Sequence, residues 1–111
     1  MVDRRRPVGE RRRSRRAPFV ASVRERFGGR TQLALAQNLG EQGMELRRPG
    51  EATDPVPLEL DFELPDGGGL IRVRGTVTFE RSDGRYHHAG VRFGALSSAD
   101  RARIVRYLRN C

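Results

Sequence analysis

The chain has 111 residues, 36% hydrophobic, 32% charged and 6% aromatic, enough for one small domain with a modest core and too little for two or for a large enzyme. All 22 basic side chains are arginine, against 14 acids, giving a net charge of +8. One cysteine, at position 111, excludes an internal disulfide or a multi-thiolate metal site and fits a reducing, cytoplasmic setting, and no apolar run approaches the ~18 residues of a membrane span.

Charge is concentrated at the start. Residues 1–16 hold eight arginines and two acids, net +6, while residues 17–111 hold fourteen arginines and twelve acids, net +2. Met1 to Arg16 has almost no apolar side chains and repels itself, so it reads as a flexible arm that orders only on a partner. A folded domain over 17–111 is expected to follow. Ser14-Arg15-Arg16 has a trace of a twin-arginine export signal, but no apolar stretch follows it and export is not expected.

From Pro18 the pattern alternates. Phe19, Ala21 and Val23 share one face and Val20, Ser22 and Arg24 the other, a first strand that Gly28-Gly29 turns back. Thr31 to Asn38 suits a second strand, with Leu33 and Leu35 on one side and Ala34 and Ala36 on the other. Asn38 to Gly43 reads as a tight glycine-bearing turn, Met44 and Leu46 as a short strand, and 47–57, rich in proline and polar breakers, as a surface loop. A clear hairpin comes next. Leu58, Leu60, Phe62 and Leu64 face inward, Pro65 to Gly69 turn, and Ile71, Val73, Val77 and Phe79 face inward again. Placing Glu63 opposite Arg72 sets Asp61 opposite Arg74, and Glu59, Asp61 and Glu63 are then expected in solvent as register-setting ion pairs instead of an acid/base site.

Ser82-Asp83-Gly84 marks another turn and Tyr86 to Phe93 another strand. Ser97 or Ser98 then caps a helix over about 98–109, with Asp100 in its first turn and Ile104, Val105 and Leu108 as a narrow apolar stripe that must lie on the sheet. About six strands and one helix, without a repeat, describe an all-β antiparallel barrel or sandwich closed by a C-terminal helix.

Catalysis finds little support. His87 and His88 are neighbours on a predicted strand and point to opposite faces, so they do not chelate one ion together. None of the five serines sits in a nucleophile-elbow context, and a chain without lysine has no Walker-type phosphate loop. No catalytic residue, metal or cofactor is expected.

The informative pair is the arginine run at 11–16 and the turn at 38–43. Arg12 and Arg16 stand four residues apart with Arg11, Arg13 and Arg15 around them, and guanidinium groups bond phosphate bidentately, read guanine acceptors and stack on purines. Asn38 offers a short amide to a base edge. Gly40 and Gly43 leave the turn free of bulk and are expected to allow positive φ with exposed amides.

The stretch Glu10-Arg11-Arg12-Arg13-Ser14-Arg15-Arg16-Ala17-Pro18-Phe19 resembles the RxxxR arm of PilZ domains, and Asn38 to Gly43 resembles their Asp/Asn-x-Ser-x-x-Gly turn some twenty residues on. Gly90-Val91-Arg92-Phe93, Leu96-Ser97 and the arginine-rich helix from Ala99 are similar to the family's last strand and helix, so the likeness runs over about 10–109. It implies a six-stranded antiparallel barrel that receives cyclic di-GMP. Carried over residue by residue, Arg12 and Arg16 match the motif arginines, Asn38 the motif Asp/Asn and Gly43 the motif glycine. Gly40 replaces the usual serine, removing a hydroxyl worth ~0.5–1.5 kcal/mol, roughly two- to tenfold in affinity. In the family an arginine just before the first motif arginine goes with two intercalated cyclic di-GMP molecules, and Arg11 stands there.

Two readings follow. The first is a non-enzymatic receptor whose arm, with Arg11, Arg12, Arg13 and Arg16, closes on cyclic di-GMP against Asn38, Gly40 and Gly43 and signals to a downstream protein target. The second is a nucleic-acid- or protein-binding barrel, including a PilZ scaffold that binds no nucleotide, whose arm supplies only sequence-independent charge. The basic charge directly precedes the first strand and is not spread over a face, which favours the first and argues against nucleic acid.

Overall fold

Alternation of apolar and polar side chains carries the architecture. The computed structural model describes residues 16–49 and 57–110, and these form strands β1 (Arg16–Phe27), β2 (Arg30–Gly40), β3 (Gly43–Arg48), β4 (Leu58–Glu63), β5 (Leu70–Ser82) and β6 (His87–Phe93), then helix α1 (Ser98–Arg109). The strands close an antiparallel barrel in the order β1-β2-β3-β6-β5-β4. Closure is narrow: β4 returns to β1 only over Arg24–Asp61, Glu25–Leu60 and Arg26–Glu59. Among the described residues no helix is long and apolar enough to cross a membrane.

The long β1–β2 hairpin turns on Gly28 and Gly29 with φ of 55° and 77°, the left-handed pair that a two-residue turn matched to strand twist requires. Phe27 and Arg30 pair directly across it. In β2 the alanines Ala34 and Ala36 face the core, while Leu33 is exposed and Leu35 half-buried. Leu39, Met44, Leu46, Leu58, Leu60, Phe62, Ile71, Val73 and Val91 fill the interior. α1 starts where the Ser97 side chain accepts from the Asp100 N–H at 3.0 Å and buries Ile104 and Leu108 against the barrel. Tyr107 meets Phe19 edge-on, with ring centroids 5.5 Å apart, and donates its hydroxyl to the Pro18 carbonyl at 2.9 Å. The helix therefore clamps the start of β1.

Several expectations shift. The β4–β5 hairpin pairs Asp61 with Arg72 and Glu59 with Arg74, and closes at Glu63–Leu70. The register differs by two residues from that expected, because the connection is two residues shorter and the ladder continues to Glu63–Leu70; a two-residue slip keeps every side chain on its face. Asp61 is not in solvent. It is buried, with Oδ1 accepting from Arg26 Nη2 at 3.2 Å and Arg72 Nε at 3.0 Å. Phe79 does not face inward either: the ladder slips between Val77 and Phe79, a bulge that turns the ring outward at 44% exposure.

The loop expected from 47 begins later, since β3 runs to Arg48, and the arginine is there for a reason invisible in a list of breakers. Arg48 lies inside the barrel and grips Glu25 through Nη2–Oε2 at 2.6 Å and Nε–Oε2 at 3.1 Å, both side chains 0% exposed. Gln32 Nε2 donates to the other carboxylate oxygen at 2.8 Å. Glu80 Oε1 lies 3.9 Å from Arg48 Nη1 and shares a hydrogen bond with His87 Nε2 at 2.7 Å. This polar plug occupies the end of the barrel away from α1.

Candidate functional site

At the α1 end, the strand register gathers the motif residues on the outer face. Arg16, first residue of β1, pairs with Gly40 of β2, and Gly43 of β3 pairs with Arg92 of β6. Asn38 lies opposite Glu45. Arg16 Nη1 donates to Asn38 Oδ1 at 2.9 Å, bringing together residues 22 apart in sequence. Asn38 Nδ2 in turn donates to Glu45 Oε1 at 3.0 Å, and Arg81 Nη2 reaches Glu45 Oε2 at 3.0 Å. The result is one hydrogen-bonded row across four strands.

Beside this row is a cleft of about 130 Å³ lined by Arg16, Gly40, Gln42, Gly43, Thr78, Gly90, Val91 and Arg92. Its floor is nearly bare backbone. A Cβ on Gly43 would collide with the Val91 carbonyl oxygen, and one on Gly90 with the Phe79 ring. Arg92 is exposed and makes no ion pair among the described residues. A larger cleft of about 320 Å³ opens where β1 and β4 diverge, lined by Ala21, Leu33, Phe62 and Leu70 among others. Its buried carboxylate, Asp61, is already engaged by two arginines, whereas the smaller cleft is lined by two guanidinium groups, Arg16 and Arg92, beside bare glycine backbone.

Of the residues singled out in the sequence, Arg16, Asn38, Gly40 and Gly43 converge here, and Arg11, Arg12 and Arg13 lie outside the described residues. The expected turn is tighter than drawn, because both strands run to the glycines and only Glu41 and Gln42 bridge them. Neither Gly40 nor Gly43 has positive φ. Gly43 is required instead for the close approach of β3 to the β6 backbone. Sequence reading missed Glu45, Arg81 and Arg92. The available signal was phase: Glu45 lies between inward Met44 and Leu46, and Arg92 follows inward Val91, so both must project from the outer face.

The two histidines point apart. His87 meets Glu80 inside, and His88 lies between Gln37 at 3.2 Å and Asp83 at 3.1 Å. Backbone N–H groups of Tyr86 and Arg85, then His88, hold the Asp83 carboxyl well below the usual range. Asp66, in the β4–β5 turn, is lowered to about 2, first by the hydrogen bond from Arg103 of α1 and then by the Gly68 N–H. Both contacts are structural pins.

Comparison with known proteins agrees with this architecture. The PilZ domain model matches residues 10–110. Among solved structures, the chain is similar to the Bacillus subtilis inhibitor of motility MotI/DgrA, with a TM-score of 0.80, 15% identity, and coverage of 96% of this chain and 56% of that one. It is also similar to the K. pneumonia MrkH–c-di-GMP complex, with a TM-score of 0.76, 18% identity, and coverage of 91% and 52%. A third likeness is to the PilZ domain of Escherichia coli YcgR with c-di-GMP, with a TM-score of 0.66, 16% identity, and coverage of 91% of both chains. The chain spans about half the length of the first two. No curated protein matches it. A six-stranded barrel with a C-terminal helix, matched by the family model over nearly its whole length, belongs to the PilZ domain family.

Proposed function

We propose that this protein is a non-enzymatic receptor for cyclic di-GMP, holding the dinucleotide on the outer face of the barrel between its N-terminal arginines and the Asn38–Gly43 segment. One observation carries the reading: Arg16, which lines a cleft floored by glycine, touches Asn38, 22 residues away in sequence, at 2.9 Å. The chemistry suits a guanine dinucleotide. Guanidinium groups pair with phosphate oxygens and stack on purines, an amide reads a base edge, and a bare backbone floor admits a flat ring. The solved MrkH and YcgR structures named above contain c-di-GMP, which supports the same ligand here.

The cleft at Arg16 and Arg92 is the fixed half of the site in this reading, and Arg11, Arg12 and Arg13 supply the other half. Ordering of the arm over the ligand is the switch, and its readout is a downstream protein target. Arg11 favours a pair of intercalated dinucleotides, since four phosphate charges then meet Arg11, Arg12, Arg13 and Arg16. A calorimetric titration with cyclic di-GMP, GMP, GTP and a short DNA duplex tests the reading. Binding of cyclic di-GMP in the micromolar range or tighter, with a molar ratio of two that falls to one in Arg11→Leu, supports it. A preference for the duplex would replace it with the nucleic-acid reading. Gly40→Ser, which restores the family's hydroxyl beside Arg16, should tighten binding roughly two- to tenfold.

A further inference from the structure

We infer that Glu45 is a positioning residue that fixes Asn38 as a hydrogen-bond acceptor toward the ligand and so makes the site select guanine over adenine; this rests on the cyclic di-GMP reading above. A side-chain amide has a donor end and an acceptor end of almost the same shape, so an unrestrained asparagine presents either. Asn38 is restrained. Its Oδ1 faces Arg16 Nη1 at 2.9 Å and its Nδ2 faces Glu45 Oε1 at 3.0 Å. Arginine only donates and an ionised glutamate only accepts. Reversing the amide would set its oxygen against the carboxylate and its NH₂ against the guanidinium, and both bonds would be lost.

Glu45 is itself held. It lies directly opposite Asn38 in the β2–β3 ladder, its side chain is only 18% exposed, and its second oxygen accepts from Arg81 Nη2 at 3.0 Å. Arg16 belongs to the proposed ligand-binding set and is free to turn toward a phosphate, whereas Glu45 and Arg81 belong to the barrel wall. The amide orientation therefore survives whatever Arg16 does.

The consequence follows from base chemistry. The Watson–Crick edge of guanine presents the N1–H and N2–H donors, which an acceptor-only Oδ1 complements through its remaining lone pair. On the same edge adenine presents its N1 acceptor beside an N6 amine. A freely turning amide satisfies adenine with Nδ2 on N1 and Oδ1 on N6–H; an amide locked with Oδ1 outward offers N6–H its acceptor but leaves the adenine N1 acceptor without a donor, whereas both guanine donors can share Oδ1. An asparagine at this position does the work of an aspartate only while Glu45 holds it, and discrimination by an unpaired acceptor is strong in a desolvated site.

The test is the ratio of dissociation constants for cyclic di-AMP and cyclic di-GMP, measured by calorimetry on the full chain. Glu45→Gln replaces the obligate acceptor with an amide that pairs with either end of Asn38, and should narrow the preference for cyclic di-GMP at least tenfold. Arg81→Gln, which releases Glu45 without touching Asn38, should narrow it in the same direction by less. Asn38→Asp accepts whichever way it turns, so adding Glu45→Gln in that background should leave the ratio within about twofold. Thermal unfolding of each variant reports any purely structural loss, which would weaken both ligands alike and leave the ratio unmoved. An unchanged ratio in both Glu45→Gln and Arg81→Gln overturns the inference, as does an equal narrowing with and without Asn38→Asp. Failure of the parent to bind cyclic di-GMP removes the receptor reading and this inference with it; tight parental binding with an unmoved ratio removes only the inference.

Discussion

Two arginine–carboxylate arrangements sit on the same barrel and differ in what water can reach. At the end away from α1, Arg48 and Glu25 are wholly enclosed, and Gln32 completes the carboxylate's hydrogen bonds. At the other end, on the outer face, Arg81 pairs with Glu45 while 56% exposed, and Arg16 donates to a neutral amide. Separating the buried pair strands a charge in a low-dielectric interior. Arg16 leaves the exposed row at little cost, because a solvated surface contact contributes only ~0–1 kcal/mol, while Glu45 keeps its hold on Asn38. The lesson is that exposure, more than residue type, decides which arginines of this arginine-only chain are structural and which can exchange a surface contact for a ligand.

The largest expected effect breaks the buried side of this comparison. Arg48→Ala should destabilise the fold by ~3–5 kcal/mol by leaving Glu25 unpaired inside the barrel, read as a lower midpoint in urea. Replacing both members, Glu25→Leu with Arg48→Met, should recover most of that loss. Arg16→Ala acts on the other side. It should weaken cyclic di-GMP at least tenfold, the cost of one charged hydrogen-bonding partner at ~1.5–3 kcal/mol, while leaving the urea midpoint nearly unchanged; calorimetry and urea unfolding of the same preparation separate the two. Gly43→Ala joins both regions, because its methyl meets the Val91 carbonyl oxygen across the β3–β6 ladder. We expect ~1–3 kcal/mol of destabilisation together with weaker ligand binding, both visible in a thermal shift assay with and without ligand.

The smallest effect concerns the turn that pins the helix. Asp66 titrates at about 2 in the folded protein against an ordinary value of 3.8, chiefly through Arg103. A lowered folded value means that the stabilisation is present above the unfolded value and disappears as pH falls through about 2. Asp66→Asn should therefore be slightly less stable than the parent at pH 5, with the difference closing on acidification toward pH 2, as followed by urea midpoints. The group is exposed, so added salt should shrink the gap.

Much of the fold was legible because inward positions recur every second residue: Phe19 and Val23, Leu58 to Leu64, and Ile71 and Val73 all fall where alternation puts them. A cap at Ser97 or Ser98 was readable from their place before Asp100, and the structure uses Ser97. What alternation cannot convey is register and slippage. The hairpin closing at Glu63–Leu70 and the bulge that turns Phe79 outward depend on turn length and on Gly90 leaving room for the ring. Inward phase also pointed to positions 25 and 48, but a charged residue there reads as a loop or a surface until its partner from another strand is known. At the candidate site, the motif spacing singled out Arg16, Asn38, Gly40 and Gly43, which the strand register brings together, while Arg11, Arg12 and Arg13 lie outside the described residues. Glu45, Arg81 and Arg92 come from strands brought alongside by the barrel order β3-β6-β5, an adjacency that chain position does not encode.

The central claim is that the exposed row at Arg16 and Asn38 receives cyclic di-GMP. Titrating cyclic di-GMP, with GTP as control, into the parent and into Arg16→Ala by calorimetry tests it most directly. The account predicts micromolar or tighter binding of cyclic di-GMP but not GTP by the parent, and at least a tenfold loss in the variant at unchanged stability. No binding heat in the parent, or equal affinity in the two proteins, would contradict it.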